Sequence, residues 1–273
     1  MSFTHEGGRI ISQTLIPEST PNWDRLIVLS GIAGAVVIAW VYLVIEAVEV
    51  PAMKMVGNHV VAITRMKPWT AVHFLLMFVM WSVMMVGMML PSATPAVLGF
   101  AGVSRRRQGQ DQAFAPATAF ALGYVTVWTA FSVIATFLQW GLRSAALLSP
   151  MMVSTSPLLG GVLLVAAGVY QWTPTHRHAL ERLRSPFDSI VTRWREGTGG
   201  AFVMGLENGA SCVASCWVVM GLLFVGGVMN LLWVAAIAIF VLIEKAAPHG
   251  DLVGRICGVV LLFKGAFVIF HFF

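Results

Sequence analysis

Apolar residues fall in long runs over most of the chain, separated by short polar stretches. The runs cover about Leu26–Val48, Thr70–Gly102, Phe114–Leu142, Leu158–Thr173, Gly200–Val225, Met229–Ile243 and Leu252–Phe272. A helix of about 20 apolar residues crosses the hydrocarbon core of a bilayer. The pattern therefore predicts an all-α fold, a polytopic transmembrane helix bundle of about six or seven spans. It forms a single integral membrane domain over residues 1–273, with a polar N-terminal segment at 1–25 and a polar linker at about 174–199. The fourth and sixth runs are short. If one of them fails to cross, the C-terminal half changes sides.

The second run is too long for one straight crossing, and it contains Pro91 and Pro95. Each proline removes a backbone donor and disfavours helix just upstream. The expectation is a helix that kinks or ends near Leu90, with SATPAVLGFAGV as a separate short helix. Such a break survives at membrane depth only where protein or a cavity covers it.

Composition agrees with a membrane protein. Charged residues make up 11% of the chain, against about 25% in a soluble domain, and mean hydropathy is +0.82. The net charge of +5 then reads as basic cytoplasmic loops and not as a nucleic-acid surface. One set of loops holds Arg105, Arg106, Arg107, Arg177, Arg182, Arg184, Arg193, Arg195, Lys245 and Arg255; the alternate set holds Lys54, Arg65, Lys67 and Arg143. The excess puts the first set, and the N-terminus with it, in the cytoplasm. No small-residue cleavage site follows the polar N-terminal segment, so it does not read as a signal peptide. The linker from His176 to Glu196 mixes arginines with Leu180, Leu183, Phe187, Ile190 and Trp194. It suits an amphipathic helix on an anionic leaflet or an ordinary basic loop.

Two of the apolar runs carry candidate chemistry. Met77, Met80, Met84, Met85, Met88 and Met89 fall within thirteen residues. Met77, Met80, Met84 and Met88 share one helix face, with Met85 and Met89 beside it. Thioethers fill gaps in any core, and they also select soft ions such as Cu(I). In the fifth run, Glu207, Ser211 and Ser215 form one row at helical spacing, and Asn208, Cys212 and Cys216 form the next. A charge at the bilayer centre costs about 2.5–3.5 kcal/mol, so this stripe must face protein. Gly205 and Gly209 would let a neighbouring helix approach closely. On a helix, Cys212 and Cys216 hold their Cβ atoms about 5–6 Å apart. A disulfide needs about 3.5–4.5 Å, so the pair reads as two thiols able to share a metal ion or as buried packers. Glu207 and Glu244 lie near the inner surface, where each is a candidate ligand at the entrance; Glu244 beside Lys245 also reads as an interfacial charge pair. The candidate metal ligands are thus Met84, Met85, Met88, Met89, Glu207, Cys212, Cys216 and Glu244. Nothing resembles a P-loop, an HExxH helix or a GxSxG elbow.

The pairing of VMMVGMMLPSATP with CVASCWVVMGLLFVGGVMNLLW and IEKAAPHGD resembles a bacterial family of predicted metal-binding integral membrane proteins. GVYQWTPTHRHALERLRSP resembles the family's linker, and the match covers about Phe74 to Arg255. The resemblance implies copper binding, a bacterial inner-membrane location and, for some members, copper supply to copper oxidases. The chain departs from the family's pattern at Ser215, where the family tends to place a second cysteine. It departs again at Asn208, in place of His, and at Ala179 and Leu183, in place of linker cysteines.

The reading is a membrane protein that binds Cu(I) through Met and Cys and supplies or stores it for a partner copper enzyme. It has lipid but no nucleic acid as partner, and it is not itself expected to be an enzyme. The alternatives are a subunit of a membrane-bound metal-dependent oxidase or monooxygenase, which would want mid-span histidines that are lacking, and a metal-free scaffold or assembly partner whose methionines only pack.

Overall fold

A computed structural model of the chain describes residues 22–52, 70–108, 114–149, 152–185 and 190–271. The loop charges Lys54, Arg65 and Lys67, the linker residue Phe187 and the first 21 residues lie outside the described residues. Every apolar run forms helix, and the fold is all-α. The elements are α1 (Asn22–Ala52), α2 (Ala71–Gln108), α3 (Phe114–Ser144), α4 (Pro157–Tyr170), α5 (Pro174–Arg184), α6 (Gly197–Gly221), α7 (Leu223–Gly226), α8 (Leu231–Ala246) and α9 (Gly250–Phe270). Among the described residues, five stretches are long and apolar enough to cross a membrane: Leu26–Val48, Ala71–Arg107, Pro116–Ser144, Gly197–Gly226 and Gly250–Phe270. Helices α4 and α8 are shorter, at 14 and 16 residues.

Local sequence sets the starts of the shorter helices. Ser156 and Thr173 cap α4 and α5 by accepting the Leu159 and His176 amides. A proline follows each cap at the first helical turn, where its missing N–H costs nothing. Asn230 caps α8 by accepting the Trp233 amide.

The Met-rich helix does not end near Leu90. Helix α2 runs for 38 residues through both Pro91 and Pro95, and the SATPAVLGFAGV stretch continues it instead of forming a helix of its own. The prolines remove the donors to the Gly87 and Pro91 carbonyls; side-chain hydroxyls add bonds to carbonyls lying between these two. Ser92 donates to the Met89 carbonyl, Thr94 donates to the Leu90 carbonyl, and Tyr124 of α3 donates to the Met89 carbonyl at 3.1 Å.

Helices α3 and α6 pack most extensively, followed by α4 and α9, while α2 lies against α1, α3 and α8. The α3–α6 contact is backbone on backbone. A Cβ at Gly205 would overlap the Phe120 carbonyl, and one at Gly123 would overlap the Phe202 carbonyl. The close approach expected at Gly205 and Gly209 is therefore present, and it brings Tyr124 and Cys212 face to face.

The linker helix α5 turns its apolar side inward. His176, Ala179 and Leu180 are buried, while Arg177, His178, Glu181 and Arg182 are exposed. Further along, Ile190 is buried and Trp194 stacks on Phe100. Protein thus covers the apolar residues that would otherwise have met a leaflet. The Arg107 guanidinium lies 5.2 Å from the Trp194 ring, and Arg184 donates to the Ala247 and Pro248 carbonyls. These contacts gather the end of α2, the linker and the α8–α9 turn at one end of the bundle.

Candidate metal centre

Methionines 80, 84, 85, 88 and 89 are fully buried in one contiguous core cluster that also contains Cys212, Cys216, Met220 and Met152. The two sulfur-bearing stretches share this core. The Tyr124 hydroxyl joins them, standing 3.1 Å from the Met89 carbonyl and 3.0 Å from Cys212 Sγ. Met77, at the far end of the row, has a different role. The Gln139 amide donates to its sulfur at 3.4 Å and to that of Met152 at 3.2 Å, while Gln139 accepts from the Trp81 indole.

The two cysteines are free thiols. The Cys216 thiol donates to the Cys212 carbonyl at 3.0 Å, and the Ser215 hydroxyl donates to the same carbonyl at 2.7 Å. Cys212 Sγ has a further partner, which the sequence pattern hides. Lys245 counts there as a loop charge, yet it is buried in the last turn of α8. Its ammonium donates to Cys212 Sγ at 2.8 Å and to Ser92 Oγ at 3.3 Å. The signal available in the sequence was a charge inside an apolar helix, which needs a partner there.

A cavity of about 260 Å³ reaches this group, lined by Ser92, Tyr124, Arg184, Asn208, Cys212 and Lys245. A second cleft of about 750 Å³ is lined by Arg182, Arg193, Glu207 and again Asn208. Asn208 thus lies on the walls of both.

The two candidate carboxylates do not join the sulfur group. Glu207 pairs with Arg195 at 3.0 Å and with Arg193 at 4.0 Å, on a partly exposed face near the middle of α6. Glu244 is buried and faces His176 at 3.3 Å. Lys245 turns to Cys212, so Glu244 and Lys245 do not act as one interfacial pair. Sequence reasoning passed over both Tyr124 and His176.

Among the described residues no three His, Cys, Asp or Glu side chains gather as a metal-binding group. A metal held by Cys212 and Cys216 would need its further donors from thioethers. The chemistry available is that of a soft pocket with one ammonium already in contact with a sulfur atom.

No curated protein and no solved structure matches the chain. A family model described as a copper chaperone, PpoB2, matches residues 78–268. That span is more than two thirds of the 273 residues and holds Met84 through Lys245. The soft donors buried between α2 and α6 thus lie inside the matched region, and the chain belongs to the PpoB2 copper chaperone family.

Proposed function

We propose that the protein is an integral membrane copper carrier that binds Cu(I) between α2 and α6 and supplies or stores it for a partner copper enzyme. The observation that carries the reading is the burial of four adjacent thioethers, Met84, Met85, Met88 and Met89, in one core with Cys212 and Cys216. Soft sulfur donors suit Cu(I), and family membership supplies the link to copper. A bilayer accounts for the apolar residues that face outward, such as Ile38, Leu232, Phe263 and Phe270. So large an apolar surface is not sustained in water. The arginine-rich end is cytoplasmic on this reading.

The Lys245 ammonium occupies a position against Cys212 that a thiolate-bound cation would take. Loading Cu(I) then means moving one flexible lysine side chain, and releasing the ion lets it return. Thioethers hold Cu(I) without a proton to exchange, which suits transfer to another protein.

The test is anaerobic Cu(I) loading of the purified protein in detergent. Replacing Cys212 and Cys216 by Ser, or Met84 and Met88 by Leu, is expected to weaken Cu(I) binding by about tenfold or more, the scale on which even outer-shell changes act. Unchanged stoichiometry and affinity in both variants would remove the sulfur pocket as the site. For supply to a partner, the copper content of a copper oxidase in the same membranes should fall with these variants.

A further inference from the structure

We propose that Gln171, His176 and Glu244 form a second metal subsite, made of nitrogen and oxygen donors, for a divalent first-row cation such as Cu(II) or Zn(II). It lies at the arginine-rich end of the bundle, where the C-cap of α4, the first turn of α5, the last turn of α8 and the start of α9 meet.

All three side chains are removed from solvent: Gln171 is 4% exposed, His176 3% and Glu244 1%. None of their facing polar atoms is satisfied. His176 Nε2 lies 3.3 Å from Glu244 Oε1, out of line for a hydrogen bond. Both of these atoms, and both amide atoms of Gln171, have no hydrogen-bond partner among the described residues. Buried polar groups are almost always paired, and each orphan costs about 1–3 kcal/mol. Three of these atoms, the imidazole nitrogen, the carboxylate oxygen and the amide oxygen, are acceptors that one cation would bond; the Gln171 NH2 group is a donor and lies outside that set.

Gly254 of α9 lets these groups approach closely. A Cβ there would overlap Glu244 Oε1 and come within 3.2 Å of Gln171 Oε1. Glycine at this point of α9 leaves the carboxylate and the amide oxygen facing the same volume. The Tyr170 ring closes one side, edge-on to His176 at 5.8 Å. The donors are an imidazole nitrogen, a carboxylate and an amide oxygen. Imidazole with oxygen ligands suits borderline divalent ions such as Cu(II) and Zn(II), whereas Cu(I) prefers sulfur. The Glu244 carboxylate supplies negative charge that a cation would offset, which an ordered water does not do.

This site does not depend on the sulfur pocket, although consecutive residues of α8 serve the two. The probe is Co(II), added anaerobically to purified protein in detergent, because Cu(II) would oxidise the free thiols. The expected result is one Co(II) per chain with ligand-field absorption and no sulfur-to-cobalt charge-transfer band. That binding should persist in the Cys212→Ser/Cys216→Ser protein. It should weaken by about tenfold or more in His176→Gln and in Glu244→Gln, two nearly isosteric changes whose elution on size exclusion reports folding. Gly254→Ala, which crowds Glu244 and Gln171, should weaken it as well. Absence of Co(II) binding by the folded wild-type chain would overturn the proposal. So would affinity unchanged in His176→Gln, or a charge-transfer band that disappears with the cysteines. The cysteine arm separates this outcome from failure of the Cu(I) site, which is read with Cu(I) alone.

Discussion

Glu244 and Lys245 are neighbours in the last turn of α8, both buried, and their surroundings are opposites. Lys245 enters a group in which the facing polar atoms have partners: its ammonium reaches Cys212 and Ser92, and Tyr124 bonds to both Met89 and Cys212. Glu244 enters a group in which the facing atoms of Gln171, His176 and the carboxylate go unsatisfied. Successive helix positions point about a third of a turn apart, so one short helix end serves two pockets. The lesson is that the sulfur pocket is held in shape by its own hydrogen bonds, with an ammonium against Cys212. In the nitrogen and oxygen pocket, the imidazole of His176 faces the Glu244 carboxylate at 3.3 Å with no hydrogen bond at either atom.

Removing Cys212 should produce the largest effect on this contrast. Cys212→Ala leaves the Lys245 ammonium buried with Ser92 as its remaining partner, which should destabilise the metal-free protein by about 3 kcal/mol. Adding Lys245→Met should recover most of that loss, because it removes the stranded charge. Thermal unfolding in detergent of the wild type, both single variants and the double variant completes the cycle. Additive effects would show that the two side chains are not coupled. Next in size comes Tyr124→Phe. It deletes a hydroxyl that satisfies two groups at once, for an expected loss of about 1–2 kcal/mol; a loss near zero would mean the bridge between α2 and α6 does not hold the pocket.

The smallest effect belongs to the other pocket. Glu244→Gln removes a buried carboxylate that has no hydrogen bond on its facing oxygen, so metal-free stability should change by less than about 1 kcal/mol or rise slightly. A loss as large as that of Cys212→Ala would show that the carboxylate is already satisfied and would erase the difference between the two regions.

Much of the fold was legible from apolar periodicity. All seven apolar runs became helix, and the glycine pair at Gly205 and Gly209 announced the tight α3–α6 contact. Of the two outcomes expected from Pro91 and Pro95, an end to the helix near Leu90 does not occur. A proline states what it removes from a helix, but the sequence does not say that hydroxyls of Ser92, Thr94 and a tyrosine on another helix will serve the nearby carbonyls. The candidate site was legible in part. Methionine spacing and the two cysteines picked out side chains that share one buried core. The sequence did not foresee that Glu207 is taken up by Arg195, or that Glu244 faces His176.

By itself, then, the chain determined which segments are helical, which faces of α2 and α6 must be buried, and that soft donors are concentrated on them. These follow from local periodicity and from the cost of leaving polar or thiol groups in an apolar medium. Tertiary structure alone decided the partners: Lys245 with Cys212, Tyr124 between two helices, and Gln171, His176 and Glu244 over Gly254. Those choices depend on how helices far apart in sequence cross and rotate, and a pattern read along one strand of residues carries no distances between them.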